Sequence, residues 1–343
     1  MSRTKTSFLI LIALLLIAVS TSLIIGPADL SLAEIWHLLV AGLGLGESSD
    51  LKGTILWQIR FPRMVMAVMV GAGLSTTGAA IQGLFRNPLA DPALIGVSSG
   101  AALAAAAFIV IGHAWLGQIV YWDLALPFFA FLGGLASTWL VLKLGSDFSG
   151  SSVSTMLLAG IAINAMAIAG VGIFYYLSDD VQLRSVTFWA LGSIAGATWS
   201  TAGIAALILV VVTLLVLEAK SLNAIVLGDS EARHLGVSVE ALKKRIVIYT
   251  ALGVGIAVSL SGIIAFVGLV VPHLVRLAIG SNHHVVMPAS ALLGAILLLA
   301  ADTLSRVVVS PAELPIGIVT ALVGGPFFIY LILRQKKRLG LEQ

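Results

Sequence analysis

Long uncharged runs follow one another along nearly the whole chain, and short polar segments separate them. An apolar stretch of roughly 17–25 residues is long enough to cross a hydrocarbon core of about 30 Å as a helix. The pattern therefore predicts membrane-spanning helices over residues 7–28, 64–85, 93–112, 124–142, 156–177, 201–217, 246–280, 285–301 and 314–333. The polar stretch between the first two runs contains an amphipathic piece, LSLAEIWHLLVAGL.

The run 246–280 decides the number of spans. At about 1.5 Å per residue it is too long for one upright helix, and Ser259, Ser261 and Gly262 mark a break within it. Counting it as two spans gives an even total, which puts both chain ends on the same side. Both ends are basic, with RTK at the start and RQKKR near the finish. The positive-inside rule therefore favours ten spans with both termini cytoplasmic.

Composition narrows the class of protein. Of the 343 residues, 59% are hydrophobic and only 10% are charged, whereas soluble domains are about 45–50% apolar and about 25% charged. This excludes a soluble enzyme and predicts one membrane domain over 1–343, with no nucleic-acid partner. The absence of cysteine excludes disulfides and thiolate metal sites. The neighbours His283 and His284 do not share a helix face, so no metal site is expected.

The polar turn QGLFRNPLADPALIGVSSG, residues 82–100, separates the second and third runs. Asn-Pro and Asp-Pro pairs are strong turn signals, because proline disfavours helical geometry in the residue before it. Asp91 is predicted to cap the next helix, with Pro92 at its first position. On the residues alone, a tight loop in any polytopic membrane protein explains the segment equally well.

The loop KSLNAIVLGDSEARHLGVSVEALKKR, residues 220–245, contains two short helical patterns. Asp229 can cap the first, Gly236 can end it in left-handed geometry, and Ser238 can cap the second. The loop is either an ordinary charged connection or a docking surface for a cytoplasmic partner.

The sequence contains no GxxxxGK[ST] phosphate-binding motif. Uphill transport would then need a separate ATPase or an ion gradient. A gradient-driven carrier often places carboxylates near the bilayer midplane. The nearest candidate is Asp302, which lies at an outer helix end with Arg306 one turn further on. A structural ion pair is the simplest interpretation of these two residues.

Two spans contain features that are typical of a pathway or of close packing. The last span opens with Pro315 and carries Gly324-Gly325-Pro326 near its middle, which favours a bend. One face of 156–177 carries Gly160, Asn164 and Tyr175. A polar Asn164 in lipid is expected to face protein or water, and a bond to a neighbouring helix is its simpler role. Basic residues on the outer side attract an acidic partner or snorkel at a helix end.

Six segments appear together in an order and spacing that resemble one family: WQIRFPR, NPLADPALIGVSSGA, LGDSEARHLGV, GIIAFVGLVVPHLVRL, LLLAADTLSR and ELPIGIVTALVGGPFFIYLIL. The chain resembles the permease subunits of ATP-driven importers for vitamin B12, ferric siderophores and haem, the FecCD-type or type II ABC importers. The resemblance implies an all-α polytopic fold with ten transmembrane helices per protomer and a homodimer in the bacterial inner membrane. It implies two cytoplasmic ABC ATPase subunits that hold ATP-Mg, a periplasmic substrate-binding protein, and no cofactor on this chain.

The resemblance also implies roles for individual residues. The fifth and tenth helices would line a path between protomers, with a gate near the start of the fifth; the path and gate residues are Val153, Ser154, Gly160, Asn164, Tyr175, Gly324, Gly325 and Pro326. The ATPase-docking residues are Gly228, Asp229, Glu231, Arg233, His234 and Gly236. Arg60 and Arg306 would meet acidic residues of the binding protein. The family's motif turn falls on Asn87, Pro88, Asp91 and Pro92.

The substrate follows from one further stretch, QLRSVTFWALGSIAGATW, which resembles haem permeases more than cobalamin or siderophore permeases. Haem is therefore the expected substrate, with a ferric siderophore or cobalamin as the alternative. Two interpretations of another class remain open from the residues: an ion-gradient-driven secondary transporter and a non-transporting membrane scaffold.

Overall fold

Helices make up most of the residues that the structure describes. The computed structural model describes residues 3–26, 30–40, 51–112, 122–147 and 150–338. In chain order the helices are α1 Arg3–Ile24, α2 Leu32–Val40, α3 Leu51–Leu84, α4 Val97–Gly112, α5 Trp122–Leu144, α6 Val153–Leu177, α7 Asp180–Ala190, α8 Trp199–Leu217, α9 Ala219–Ile225, α10 Asp229–His234, α11 Val239–Ser261, α12 Val267–Ile279, α13 His283–Val307 and α14 Ile316–Arg338. Two-residue strands, β1 Ser146–Asp147 and β2 Gly150–Ser151, form a hairpin before α6.

Ten of the described helices are apolar enough to account for the predicted spans. Seven are also long enough to cross a membrane by length and composition: α1, α3, α5, α6, α8, α11 and α13. Shorter apolar helices lie at Val97–Gly112, Val267–Ile279 and Ile316–Tyr330. The alternating course of these helices gives the bundle two faces. We call the face with α9 and α10 the α10 face, and the opposite one the α7 face.

The helix α3 is the centre of the bundle. In α3, 78% of the most apolar window is buried, against 17% in α6. It packs against α11, α12 and α13, and glycines permit the close approach. A Cβ at Gly71 would collide with the carbonyl of Gly294, and one at Gly78 with the carbonyl of Gly268. Small residues at such crossings let backbones approach closely in membranes, where van der Waals packing supplies much of the association energy.

The predicted break inside 246–280 is confirmed. The helix α11 ends at Ser261, and α12 begins at Val267. Gly262 has φ 66° and Phe266 has φ 68°, so the backbone leaves helical geometry at both ends of the connection. The chain reverses here at the α7 face, which makes two spans of one apolar run.

Other local predictions are also confirmed. The Asp91 side chain accepts a hydrogen bond from Ala93 N at 2.7 Å, and Pro92 is the first residue of a 3-10 turn, Pro92–Ile95. Of the amphipathic piece, residues 30–43, the part Leu32–Val40 forms α2, and 41–43 lie outside the described residues. The second span begins earlier than its apolar run indicates, because α3 starts at Leu51 and includes a π-helical segment, Ile55–Arg60.

Candidate functional site

The short helices α9 and α10 form an anchored projection on the α10 face. We call residues 219–235 the α9–α10 element. Its inward side chains Leu222, Ile225 and Ala232 are buried. At its tip Val226, Leu227 and Leu235 are exposed, and Glu231, Arg233 and His234 lie exposed beside them. Exposed apolar side chains rimmed by charges are typical of a protein interaction surface.

Polar contacts fix this element to the bundle. The Oδ1 of Asn223 accepts from the backbone N–H of His283 and lies 2.9 Å from His283 Nδ1. The Nδ2 of Asn223 donates to Asn282 Oδ1 at 2.9 Å. At the other end, Arg245 Nε donates to Glu218 Oε1 at 2.6 Å. The base of the element is therefore tied to the beginnings of α11 and α13.

Asp229 does not cap α10, so that prediction was wrong. Gly228 holds the cap position, and its φ of 125° suits glycine alone, while Asp229 becomes the first helical residue. The Asp229 carboxylate instead pairs with Lys243 Nζ at 2.8 Å and with Arg86 Nη2 at 3.3 Å. Gly236 ends α10 with φ 82°, as predicted, and Ser238 takes the cap position of α11 without a side-chain hydrogen bond.

Two opposed effects set the pKa of Asp229. Burial raises the pKa of this carboxyl. The hydrogen bond from Lys243 and the charges of Lys243, Arg86 and Arg233 together lower it by more, so the pKa lies below 3.8. The carboxylate is therefore charged at neutral pH. The sequence analysis missed Arg86 and Lys243 as its partners, although Arg86 directly precedes the motif Asn87.

The segment that contains the motif turn packs against α6. The Oδ1 of Asn87 accepts from Leu89 N at 3.0 Å, which closes the first part of the turn. The carbonyl of Ala93 accepts from Asn164 Nδ2 at 3.2 Å, and Ser99 Oγ donates to Asn164 Oδ1. A Cβ at Gly160 would collide with the Leu94 carbonyl. Asn164 thus bonds a neighbouring segment, and the structure brings Gly160 and Asn164 together as packing positions.

The outward faces of α6 and α14 are exposed in the single protomer. The helix α6 packs on α4 and α5, whereas α14 packs on α12 and α13. Their large exposed apolar side chains are Leu158, Ile161, Met166, Ile168, Ile173, Tyr176 and Leu177 on α6, and Leu322, Val323, Ile329, Tyr330 and Leu333 on α14. Of the predicted path residues, Ser154 and Pro326 are exposed, and Val153, Tyr175 and Gly325 are half-buried. Gly324 is buried against Phe266.

Arg60 and Arg306, at the α7 face, are buried, which differs from what the sequence led us to expect. Arg60 is 5% exposed and donates to the carbonyls of Leu23 and Ile24; Arg306 is 4% exposed and donates to Ile25 O at 3.0 Å. The last carbonyls of a helix lack intrahelical partners, so the guanidiniums cap α1. Neither side chain is presented to solvent in this conformation.

The predicted Asp302–Arg306 pair is present, and the sequence analysis missed a closer partner. Arg306 Nε lies 3.3 Å from Asp302 Oδ2, whereas Arg63 Nε donates to Asp302 Oδ1 at 2.9 Å. Arg63 also pairs with Glu313 at 2.9 Å. Asp302 is fully buried between the two arginines, so its charge is already compensated within the protein.

A cavity of about 700 Å³ opens beneath α7. Its wall includes Gln182, Phe188, Trp189 and Ile194 from the stretch QLRSVTFWALGSIAGATW, together with residues of α4, α5 and α11. Over the described residues, no group of three or more metal-binding side chains occurs.

Comparisons with known proteins agree with this architecture. A model of the FecCD transport family matches residues 14–334. The hemin transport system permease protein HmuU of Yersinia pestis is 44% identical over 337 residues, covering 98% of this chain and 97% of its own. The vitamin B12 import system permease protein BtuC of Klebsiella pneumoniae subsp. pneumoniae is 39% identical over 294 residues, covering 85% and 87%.

A solved structure shares the fold. It is described as an inward-facing conformation of a putative metal-chelate type ABC transporter, and it matches with a TM-score of 0.83 and 33% identity over 96% of this chain and 99% of that one. The all-α type II ABC importer permease fold is thereby confirmed, and the ten apolar helices among the described residues are consistent with ten spans. The family match and the long, closely similar relatives lead to one conclusion: this chain is a multi-pass transport permease and belongs to the FecCD transport family.

Proposed function

We propose that this chain is the translocation subunit of an ATP-driven importer that moves haem, or a related iron or cobalt chelate, from a periplasmic binding protein into the cytoplasm. The observation that carries the proposal is the α9–α10 element, whose base is fixed by Asn223 and Glu218 while its apolar tip stays exposed. A rigid base with an uncovered tip suits the transfer of force from a partner. That partner is a pair of cytoplasmic ABC ATPase subunits, and the α10 face is cytoplasmic.

The bare faces of α6 and α14 support a homodimer in a bacterial inner membrane. Two copies that meet through these helices would enclose a path between them, with Val153 and Ser154 at its cytoplasmic gate. Tyr175, Gly325 and Pro326 would line the path. Gly160, Asn164 and Gly324 would position the path-lining helices, because each packs against other segments of its own protomer.

Haem is the substrate we favour. The relative named as a hemin permease is 44% identical and the vitamin B12 permease 39%. The stretch that resembles haem permeases also lines the cavity beneath α7. Ferric siderophores and cobalamin are the alternatives, and both are metal chelates.

A binding protein would dock on the α7 face, which is then periplasmic. Arg60 and Arg306 belong to this proposal, although α1 carbonyls hold both guanidiniums. We propose that they reach acidic side chains of the partner when the end of α1 moves aside. Charge reversal at both positions should weaken docking at low salt more than either change alone.

Reconstitution in proteoliposomes tests the function. With a cognate ATPase and binding protein, haem uptake should need ATP and survive an uncoupler. Uptake by this chain alone under an ion gradient would establish a secondary transporter instead. Cobalamin and a ferric siderophore, offered in separate arms, identify the chelate.

The docking surface has its own test. Leu235→Asp places a charge on the exposed tip and should abolish co-purification of the ATPase. Leu183→Asp, at an exposed position on α7 of the other face, is the matched control and should retain the ATPase. Equal recovery of ATPase with both variants would show that docking occurs elsewhere.

A further inference from the structure

Residues 86–96 connect two places that the proposed function needs to move together. One end of this segment touches the α9–α10 element through the Arg86–Asp229 pair. The other end touches the middle of α6 through the carbonyls of Ala93 and Leu94. Nothing in an ordinary loop requires both contacts.

The segment is stiff along its length. The N–H groups of Ala90, Leu94 and Gly96 donate to the carbonyls of Asn87, Asp91 and Ala93, at 3.1, 3.0 and 3.0 Å. The side chains of Asn87 and Asp91 accept two further backbone N–H groups. A short segment in which successive turns are closed by hydrogen bonds moves as a unit.

Its backbone begins in a conformation that costs energy. Arg86 has φ 50°, in the left-handed region that residues other than glycine seldom adopt. Such positions are strained and cluster at functional and switching sites. Here the conformation places the guanidinium beside Asp229, the first residue of α10.

The contact with α6 is close and specific. Asn164 is bonded from both sides, by the Ala93 carbonyl and by Ser99 Oγ. Gly160, one turn away, is close enough to the Leu94 carbonyl that any side chain would collide with it. A shift of the segment therefore displaces α6 rather than sliding past it.

We infer that residues 86–96 act as a lever that carries movement of the α9–α10 element to α6, with Arg86 as the positioning residue at its input and Asn164 at its output. This inference rests on the proposed function, because the input is movement of a docked ATPase. Because Asp229 also pairs with Lys243 at 2.8 Å, loss of Arg86 should disconnect the lever and leave α10 in place.

The test uses the complete transporter, with ATPase and binding protein, in proteoliposomes. Arg86→Gln should retain ATPase co-purification and ATP hydrolysis but lower the substrate transported per ATP by about fivefold or more. Arg86→Lys keeps the charge and should recover most of the coupling. Arg86→Gly suits the positive φ, so its equal loss of coupling excludes misfolding.

Lys143→Gln is the matched control, since it removes one exposed positive charge at the same face near the end of α5. It should couple like the unmodified protein. Undiminished transport per ATP in Arg86→Gln, an equal loss in Lys143→Gln, or loss of the ATPase from Arg86→Gln would each overturn the lever.

A second readout follows α6 itself. The chain has no cysteine, so Ile161→Cys on the exposed face of α6 gives a single thiol. Its rate of reaction with a small maleimide should change with ATP in the otherwise unmodified transporter and stay constant when Arg86→Gln is added. An ATP response that persists in the double variant contradicts the lever. So does the absence of an ATP response in Ile161→Cys alone. Failure of the proposed function is distinct, since the unmodified transporter then shows no ATP-dependent uptake.

Discussion

Two arginines, Arg63 and Arg86, flank the apolar run 64–85, and their ion pairs differ in exposure. At the α7 face, Arg63 and its partner Asp302 are 7% and 1% exposed at the side chain. At the α10 face, Arg86 and Asp229 are 45% and 32% exposed. The first pair is sealed inside the protein, whereas the second is open to water and to a partner.

This difference in exposure suits the buried pair to stabilising the fold and the exposed pair to regulation. A buried pair that loses one member leaves an uncompensated charge in a medium of low dielectric, which is strongly destabilising. An exposed pair gains little from its attraction, because water screens it. The α7 face can therefore hold α1, α3 and α13 together, and the α10 face can exchange partners at small cost.

The largest expected effect is that of Asp302→Asn. The change removes the buried carboxylate partner of Arg306 and leaves Arg63 with only the partly exposed Glu313, so the free energy of unfolding should fall by about 3–5 kcal/mol. Denaturant titration in detergent measures it. Glu34→Gln, at the exposed Lys52–Glu34 pair, is the control and should change little. Equal stability of the two variants would remove the contrast between sealed and open pairs.

Arg60→Gln should have the next largest effect. Arg60 donates to the carbonyls of Leu23 and Ile24 at the end of α1, and hydrogen bonds from a charged donor contribute about 1.5–3 kcal/mol each. The glutamine side chain is neutral and shorter than that of arginine, so the free energy of unfolding should fall by about 1–3 kcal/mol. The same titration, with Arg184→Gln at an exposed arginine of α7 as control, checks it. A loss no greater than that of the control would mean that α1 is held by its apolar contacts alone.

Local patterns in the sequence were enough for most of the fold. Uncharged runs located the spans, and serines beside Gly262 located the break between α11 and α12. These signals work because helix length and backbone breaks depend on neighbouring residues. The cap of Asp91 on the turn Pro92–Ile95 was predictable for the same reason.

Contacts between distant segments were beyond the sequence. Arg63 and Asp302 are 239 residues apart, and nothing local indicates that they meet. The burial of Arg60 depends on where α1 ends, and the role of Asp229 depends on Arg86, from another loop. A single sequence shows the chemistry of each residue but not its partner in space.

Glu313→Gln tests whether an ion pair's contribution to stability depends on burial of the carboxylate or on the arginine that it contacts. Glu313 shares Arg63 with Asp302, but its side chain is 32% exposed. Removing its charge should cost at most about 1 kcal/mol, since water screens the pair. Denaturant titration beside Asp302→Asn gives the comparison. A loss as large as that of Asp302→Asn would show that the shared guanidinium, rather than exclusion of water, controls stability at the α7 face.

The smallest effect concerns the pH dependence of the open pair. The folded-state pKa of Asp229 lies below its ordinary 3.8, so the folded state binds the proton more weakly than the unfolded state. Its contribution to stability is therefore present above about pH 3.8 and is lost as the pH falls through the lower folded-state pKa. With the carboxyl a third exposed, that contribution should be at most about 0.5 kcal/mol. Unfolding titrations at pH 7 and near pH 3 should show a slightly smaller acid loss in Asp229→Asn than in the unmodified protein. An acid loss unchanged by the substitution would mean that Lys243 and Arg86 gain nothing from the charge of Asp229. The open pair would then act through its position alone, and the lever would depend on the length of Arg86 rather than on its charge.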